Sequence, residues 1–465
     1  MANTYLTRQI SSAGTNRTKA TISLWIKIGA SIGNDQRFFS YENTSVSNNV
    51  TVFKFVGLSG GSMGIQFADQ TGGSNNARFD GTRALRDPSA WYHFVAKADT
   101  TQATNTDRLK IYINGELQTS THGSYTYPSQ NSTLNFGHNS NAYIDIGRWR
   151  GSNSQYYDGS ITHFHYTDGY AYDASTFGST DSTTGQWKIN TSPTVTYGTN
   201  GFFILKDGNS VTDQSGNSNN FTVGGGTLTK TEDCPSNVFA TLNPLARHYD
   251  DQDSSLTQGN NTYEITSYEY NAKSTLGMTS GKFYWEQKVN ASSSVRIGLC
   301  TSQFNSKLDA DNAEAYYGGS TGYGGVYVLL SAASTSWQRT NNDTSRNIDT
   351  YTNAIASGSS SILMGAVDVD AGKLWIGVDG VWMNSGNPAT GANAQITFTN
   401  GSGDALHVYA GNGTSSNRIN KYNFGNGFFG TTAVSSAGTN ASGIGIFEYD
   451  VPANFTALST KGLNL

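Results

Sequence analysis

At roughly 150 residues per domain, a chain of 465 residues predicts two or three domains, and 36% apolar residues supply that many cores, which excludes disorder throughout. Only 14% of residues are charged and the formal net charge is −5, with 29 Lys plus Arg against 34 Asp plus Glu, so there is no basic field for nucleic acid or an anionic membrane. Gly fills 53 positions and Ser, Thr and Asn most of the other polar ones; with 12% aromatic residues, this neutral, hydroxyl-rich composition predicts an all-β class.

Residues 1–21 lack the charged-then-apolar pattern of a signal peptide, and no window reaches the ~18 uninterrupted apolar residues of a membrane helix. The chain therefore reads as soluble, unprocessed and without membrane insertion. No stretch carries apolar residues at helical spacing over ten or more Gly-free positions. Short alternating runs at 21–26, 51–56, 91–95 and 201–205 predict strands bounded by Gly, Asn, Asp or Ser. Residues 109–113 and 116–118 flank Asn114-Gly115, a dipeptide suited to a two-residue type I′ hairpin, with Leu109, Ile111 and Ile113 on the buried face. The same pattern returns at 373–378 and 381–383 around Asp379-Gly380, with Leu374, Ile376 and Val378 on one face.

Between these hairpins the composition shifts. Gly224-Gly225-Gly226 is followed by Cys234-Pro235 and Asn243-Pro244, which predicts a linker over 231–247 separating domains at 1–230 and 248–465. No period of 20 to 50 residues, heptad or Gly-X-Y register is present, so solenoid, coiled-coil and collagen-like shafts are excluded. Cys234 and Cys300 alone cannot build a disulfide framework or a four-cysteine zinc site.

The first body resembles the LamG-like, concanavalin A-like jelly roll found in virion proteins of tailed phages. The resemblance is carried by Tyr5-Leu6-Thr7-Arg8, Ser23-Leu24-Trp25-Ile26-Lys27, Arg86-Asp87-Pro88-Ser89-Ala90-Trp91-Tyr92-His93, Asp99 to Thr104, Asp158-Gly159 through Asp168-Gly169, and Asp213-Gln214-Ser215-Gly216-Asn217. The second body resembles a SPRY domain through Gly281-Lys282-Phe283-Tyr284-Trp285-Glu286, Val295-Arg296-Ile297-Gly298-Leu299, Asp368 to Trp375, and Asn423-Phe424-Gly425. The expected architecture is two tandem antiparallel β-sandwich (jelly-roll) domains. The resemblance implies a protein on the surface of a phage particle, assembled in the host cytoplasm.

Concanavalin A-like folds include glycoside hydrolases, which need two carboxyl groups about 5 Å apart in retaining enzymes. Glu264 and Glu269 come closest, but Thr266 stands where the Glu-x-Asp-x-x-Glu pattern has its intervening Asp, so both read as solvated strand residues. His163 and His165 alternate on a strand and could share a face, yet a third zinc ligand is missing nearby, and Asp158-Gly159 and Asp168-Gly169 read as turns. Asp368-Val369-Asp370-Ala371-Gly372 departs from a calcium loop at Gly372 and Lys373. LamG relatives sometimes bind calcium at the rim, but no cluster of three carboxylates marks such a site here. Gly-x-Ser-x-Gly is absent and neither Cys neighbours a His. No cofactor, catalytic residue or metal ligand is expected.

Recognition remains. Aromatic faces and Asn, Asp and Arg groups on loops hold neutral glycans. Two regions qualify: Trp149 and Arg150 with Tyr156, Tyr157 and Asp158 in the first body, and Tyr316-Tyr317 through Tyr323 with Trp337 and Arg339 in the second. The expected function is that of a non-enzymatic virion surface protein, at a tail fibre or tip, which binds host-surface glycans or proteins. Its other partners are virion proteins, in a homo-oligomeric arrangement. A capsid or tail decoration protein with a docking role is the alternative, and a polysaccharide depolymerase is third.

Overall fold

The computed structural model describes residues 3–464 except 30–33, 46–48, 59–61, 88, 137–141, 207–209, 247–254, 266–270, 291–294, 303–324, 331–335, 342–346, 351–359, 399–403 and 413–417. The chain divides into two compact units, Met1–Lys230 and Thr231–Leu465. Among the described residues helix is confined to three-residue 3-10 turns such as Asn105–Asp107 and Ala174–Thr176, and no helix is long and apolar enough to cross a membrane.

Among its described residues the first unit contains sixteen strands. They begin with β1 (Tyr5–Ile10), β2 (Lys19–Ile28), β3 (Gln36–Asn43), β4 (Val50–Leu58), β5 (Ser62–Thr71) and β6 (Ser74–Gly81). Next come β7 (Trp91–Asp99), β8 (Leu109–Ile113), β9 (Glu116–Leu117), β10 (Gly123–Thr126), β11 (Ala142–Ile146) and β12 (Gly159–Asp168). The short β13 (Gly178–Thr180), β14 (Trp187–Ile189), β15 (Phe202–Ile204) and β16 (Thr222–Gly225) complete it. One sheet has eight strands in the order β10-β6-β5-β4-β3-β11-β1-β16, the other six in the order β15-β12-β2-β7-β8-β9.

Alternation decides how the sheets meet. Leu6 and Ile10, Phe53 and Phe55, Ile65 and Phe67, and Ile144 and Ile146 of the larger sheet join Ile22, Leu24, Ile26, Phe94 and Ile111 of the smaller in one core. The hairpin β8–β9 turns on Asn114 (φ 49°) and Gly115 (φ 79°), and Leu109, Ile111 and Ile113 are buried, as the alternation requires. A one-residue slip would turn all three outward. The strand that opens the unit and the one that ends it are neighbours: β1 pairs antiparallel with β16, Tyr5 opposite Gly225 and Thr7 opposite Thr222.

The residues between β12 and β15 lie over the outer side of the six-stranded sheet. There Trp187 donates its indole N–H to His93 Nδ1 at 3.0 Å, and His93 Nε2 lies 2.9 Å from Ser23 Oγ. The neutral imidazole therefore carries its proton on Nε2. Trp25 stacks on His93 with ring centroids 4.8 Å apart. Strand β2 is buried on both sides there because of this covering, which explains why its polar Thr21 and Ser23 are as inaccessible as its leucine and isoleucines.

The second unit is also a sandwich. Its larger sheet has Lys282–Asn290 between Arg418–Asn423 and Ser360–Asp368, followed by Lys373–Val378; its smaller sheet has Val295–Thr301 between Leu406–Asn412 and Gly325–Leu330. Phe283, Trp285, Leu363 and Val367 pack against Ile297, Leu299 and Val408. The hairpin at Asp379 (φ 46°) and Gly380 (φ 84°) forms with Leu374, Ile376 and Val378 buried. Thr456–Ala457 pairs parallel with Lys282–Asn290.

The stretch 231–247, expected as a linker, contributes to this core. Phe239, Ala240 and Leu242 are buried, and Ala240 N–H donates to Leu458 O at 2.9 Å. Prolines and glycines mark irregular backbone, and irregular backbone here is packed backbone.

Candidate functional site

Residues 147–158 leave β11 through Gly147 (φ 91°) and fold over the outer side of the eight-stranded sheet. Asp145 points outward from β11, yet is only 1% exposed because this loop covers it. Arg148 Nε reaches Asp145 Oδ2 at 2.7 Å and Arg150 Nη2 reaches Oδ1 at 2.8 Å. Thr7 Oγ1 donates to the same Oδ1 at 2.6 Å. Glu42 of β3 takes the backbone N–H groups of Arg150 and Gly151, each at 3.1 Å, and the Ser40 hydroxyl at 2.7 Å. Arg37 donates Nε to Gln155 Oε1 at 2.8 Å, and burial pushes its guanidinium down to about 10.

Each of these three guanidinium groups lies over a ring. Arg37 lies 4.3 Å from the Trp149 centroid, Arg148 3.5 Å from Tyr5 and Arg150 3.8 Å from Tyr143. Such pairs contribute about 0.5–2 kcal/mol each. Trp149 and Arg150 therefore have intramolecular partners. Tyr157 packs against Phe38 and Phe55 and donates its hydroxyl to Lys27 O at 2.7 Å, and burial raises that phenol well above its ordinary range. Tyr156 is half-buried beside Tyr5, and Asp158 is fixed by its N–H to Gln36 Oε1 at 2.8 Å. Trp149 and Arg150 belong to a clamp that seats the loop on the outer side of the sheet, whereas Tyr157 turns into the core between the sheets.

In the second unit, Tyr316, Tyr317 and Tyr323 lie outside the described residues. Trp337 and Arg339 fall on the strand Ser336–Asn341, opposite Asp349 and Asn347 of Asn347–Thr350.

Beside the clamp, across Thr7 and Tyr143, the surface opens into a groove of about 510 Å³. Its walls come from β1 (Thr7, Arg8, Gln9) with Ser11, from Tyr143, and from the turn 218–222 leading into β16. The floor is fixed. Arg8 donates Nη1 to Asn200 O at 3.3 Å and Nη2 to Asn219 Oδ1, while Asn219 Nδ2 donates to Thr199 O at 3.0 Å and Gly201 O at 2.7 Å. The rim residues Gln9, Ser11, Ser218, Asn220 and Thr222 are exposed. Arg8 appears in the motif Tyr5-Leu6-Thr7-Arg8, but Asn219 and Asn220 lie over 200 positions away, and nothing in local sequence links them.

The histidine pair is structural. His163 occupies a bulge at φ 47°, which brings it and His165 to one ring: their centroids lie 5.9 and 3.9 Å from Phe203. His165 also meets the Tyr197 hydroxyl at 2.8 Å, and burial, then the neighbouring His163, holds it well below the ordinary imidazole value. Among the described residues no three His, Cys, Asp or Glu side chains converge as metal ligands. Glu264 lies on Thr262–Ile265, while Glu269 is outside the described residues. Asp368 accepts Ala371 N–H at 2.9 Å and Asp370 accepts Gly281 N–H at 3.0 Å, in a turn completed by Gly372 at φ 61°.

One carboxylate was not singled out in the sequence. Glu286 on Lys282–Asn290 is fully buried and takes the backbone N–H groups of Glu448 and Tyr449, each at 2.9 Å, the Tyr284 hydroxyl at 3.0 Å and Asn423 Nδ2 at 3.3 Å. Burial raises it to about 7 against those four donors. It anchors the C-terminal segment whose Phe447, Val451 and Phe455 cover Trp375 and Met364.

Residues 3–169 match the model of the concanavalin A-like lectin/glucanases superfamily. No curated protein matches the chain. Similar solved structures include a heptameric SAP-like pentraxin from Limulus polyphemus (14% identity, 35% of this chain and 69% of that one, TM-score 0.27). The SPRY domain of human HERC1 is similar at 13% identity over 39% of this chain and 96% of that one, TM-score 0.27. Domains LG4-5 of the mouse laminin α1 chain are similar at 10% identity over 89% and 81%, TM-score 0.26. Over residues 3–169 the first unit is thus similar to the concanavalin A-like lectin/glucanases superfamily, and its two packed antiparallel sheets have the corresponding jelly-roll fold.

Proposed function

We propose that the chain is a non-enzymatic surface protein of a tailed-phage particle that attaches the particle to host-surface glycans or proteins. The observation that carries this reading is the groove between β1, Tyr143 and the turn 218–222: an open, polar depression with a floor fixed by hydrogen bonds and a rim of exposed amides and hydroxyls. A preorganised floor limits the ordering cost of binding. The titratable groups that could have served catalysis, namely His163, His165, Glu286 and Asp368, each hold backbone or rings in place. Homo-oligomeric copies on a particle would convert a weak single site into useful avidity.

Adsorption competition tests the proposal. Purified protein added before phage is expected to lower adsorption to host cells, and gold labelling to place the chain at the tail. No competition, with label spread over the head lattice, would establish decoration instead. Shortening of host polysaccharide on incubation would establish a depolymerase.

A further inference from the structure

We infer that the second unit holds a small uncharged carbohydrate between its sheets, against the inner face of the larger one; the groove of the first unit plays no part in this. Two rows of side chains cross that face over four strands. In one, Tyr422 donates its N–H to Asn261 O at 2.7 Å and is paired on its other side with Gln287. In the next, Asn420 and Ser361 stand on either side of Val289. This is the core face, since Trp285, Val289, Leu363 and Tyr422 share its alternation and pack in the interior, while Tyr284 and Met364 pack on the opposite side. On Arg418–Asn423 the usual pattern is reversed: Ile419 is 37% exposed and Asn420 only 1%.

The polar atoms of these rows have no protein partner. Asn261 Oδ1, Trp285 Nε1, Gln287 Oε1 and Nε2, Ser361 Oγ, Asn420 Oδ1 and Nδ2 and Tyr422 Oη are all buried, and none bonds a group among the described residues. Each gives up water on folding with no bond in return, and over so many atoms that loss approaches the net stability of a domain. Gln287 and Tyr422 are cross-strand neighbours with complementary groups, yet they do not bond each other. The Trp285 indole lies against Gly365, where a Cβ would collide with it, so Nε1 is held in place. Amides and hydroxyls that offer donors and acceptors side by side are what sugar hydroxyls satisfy. Charge begins only at the next position on that face, the half-buried Arg418, and a charged ligand among neutral groups would forfeit its hydration without a counter-charge. At ordinary strand and residue spacings the rows cover roughly 14 Å by 7 Å, the extent of one or two sugar rings.

The test uses the full chain with glucose, galactose, mannose and N-acetylglucosamine as probes, read by saturation-transfer NMR and by soaked crystals. The native sequence is compared with Gln287→Leu, Asn420→Leu, the smaller change Ser361→Ala, and Gln9→Ala on the rim of the groove. Expected are saturation transfer to one or more probes, electron density for the sugar against Gln287 and Asn420, and a loss of affinity of about tenfold or more in each leucine variant and about threefold in Ser361→Ala. The second unit should melt no lower in these three variants, since each removes groups that the fold leaves unbonded; if a leucine variant does not fold, Ser361→Ala decides by the same readouts. Gln9→Ala should leave the binding unchanged. Water alone against these side chains with no transfer to any probe would overturn the inference, as would binding that the second-unit variants leave intact. Binding weakened by Gln9→Ala alone would place the sugar in the groove, overturning this inference and leaving the attachment reading standing.

Discussion

Glu286 is surrounded by donors and by acidic or phenolic neighbours: Tyr284 on its own strand, Asn423 on Arg418–Asn423, and Glu448, Tyr449 and Asp450 on the covering segment. Its native value of about 7 lies above the ordinary 4.5, so the folded state holds this proton more tightly than the unfolded one. The resulting stabilisation is complete below about pH 4.5 and is lost as pH rises through 7. The second unit is expected to melt lower at pH 8 than at pH 5, and Glu286→Gln to flatten that dependence in calorimetry. His93 in the first unit acts in the opposite direction. Burial holds it at about 3 against an ordinary 6.5, so the unfolded state takes up the proton first, and the stability present above pH 6.5 declines as pH falls toward 3. Its transition should move down on acidification, and a melt that moves up would contradict the burial of His93. Neither residue was legible as such in the sequence. Burial of a polar side chain depends on what covers it, and both covers arrive from distant segments.

Among the elements, the two hairpins were legible because a positive-φ dipeptide and a period of two are local facts. Gly115→Ala tests the first. Besides its φ of 79°, a Cβ there would fall 2.4 Å from Trp187 Cζ3, so the substitution should cost about 1–3 kcal/mol in denaturant unfolding. A change below 0.5 kcal/mol would show that Trp187 does not press on the turn. The loop 147–158 was legible only as composition. Trp149 and Arg150 have the residue types of a glycan site, but their partners Arg37, Glu42 and Tyr143 come from other strands, and the sequence could not reveal that the rings and guanidinium groups satisfy each other. The bulge at His163 was equally hidden, since strict alternation and a bulge have the same residue pattern. The groove was missed because its halves, β1 and the turn 218–222, are over 200 positions apart and meet only through tertiary pairing and the Arg8–Asn219 hydrogen bond.

For the molecule as a whole, the all-β class followed from turn residues, aromatic content and missing helical period. The stretch 231–247, read as a linker from its composition, packs Phe239, Ala240 and Leu242 into the second unit. A fragment comprising 231–465 is expected to unfold cooperatively, whereas 248–465 loses Phe239, Ala240 and Leu242 from its core. At about 1.5–3 kcal/mol for each large apolar side chain, that loss approaches the whole stability of a domain. Equal melting of the two fragments would contradict the packing of 231–247. The first unit carries a different consequence in the meeting of β1 with β16, Tyr5 opposite Gly225. Chain enters and leaves at the same end of one antiparallel ladder, so tension between residues 4 and 226 would load its hydrogen bonds in succession. Under pulling the unit is a zipper rather than a shear clamp, and it would give way at low force, lengthening the tether between what lies before it and what lies after.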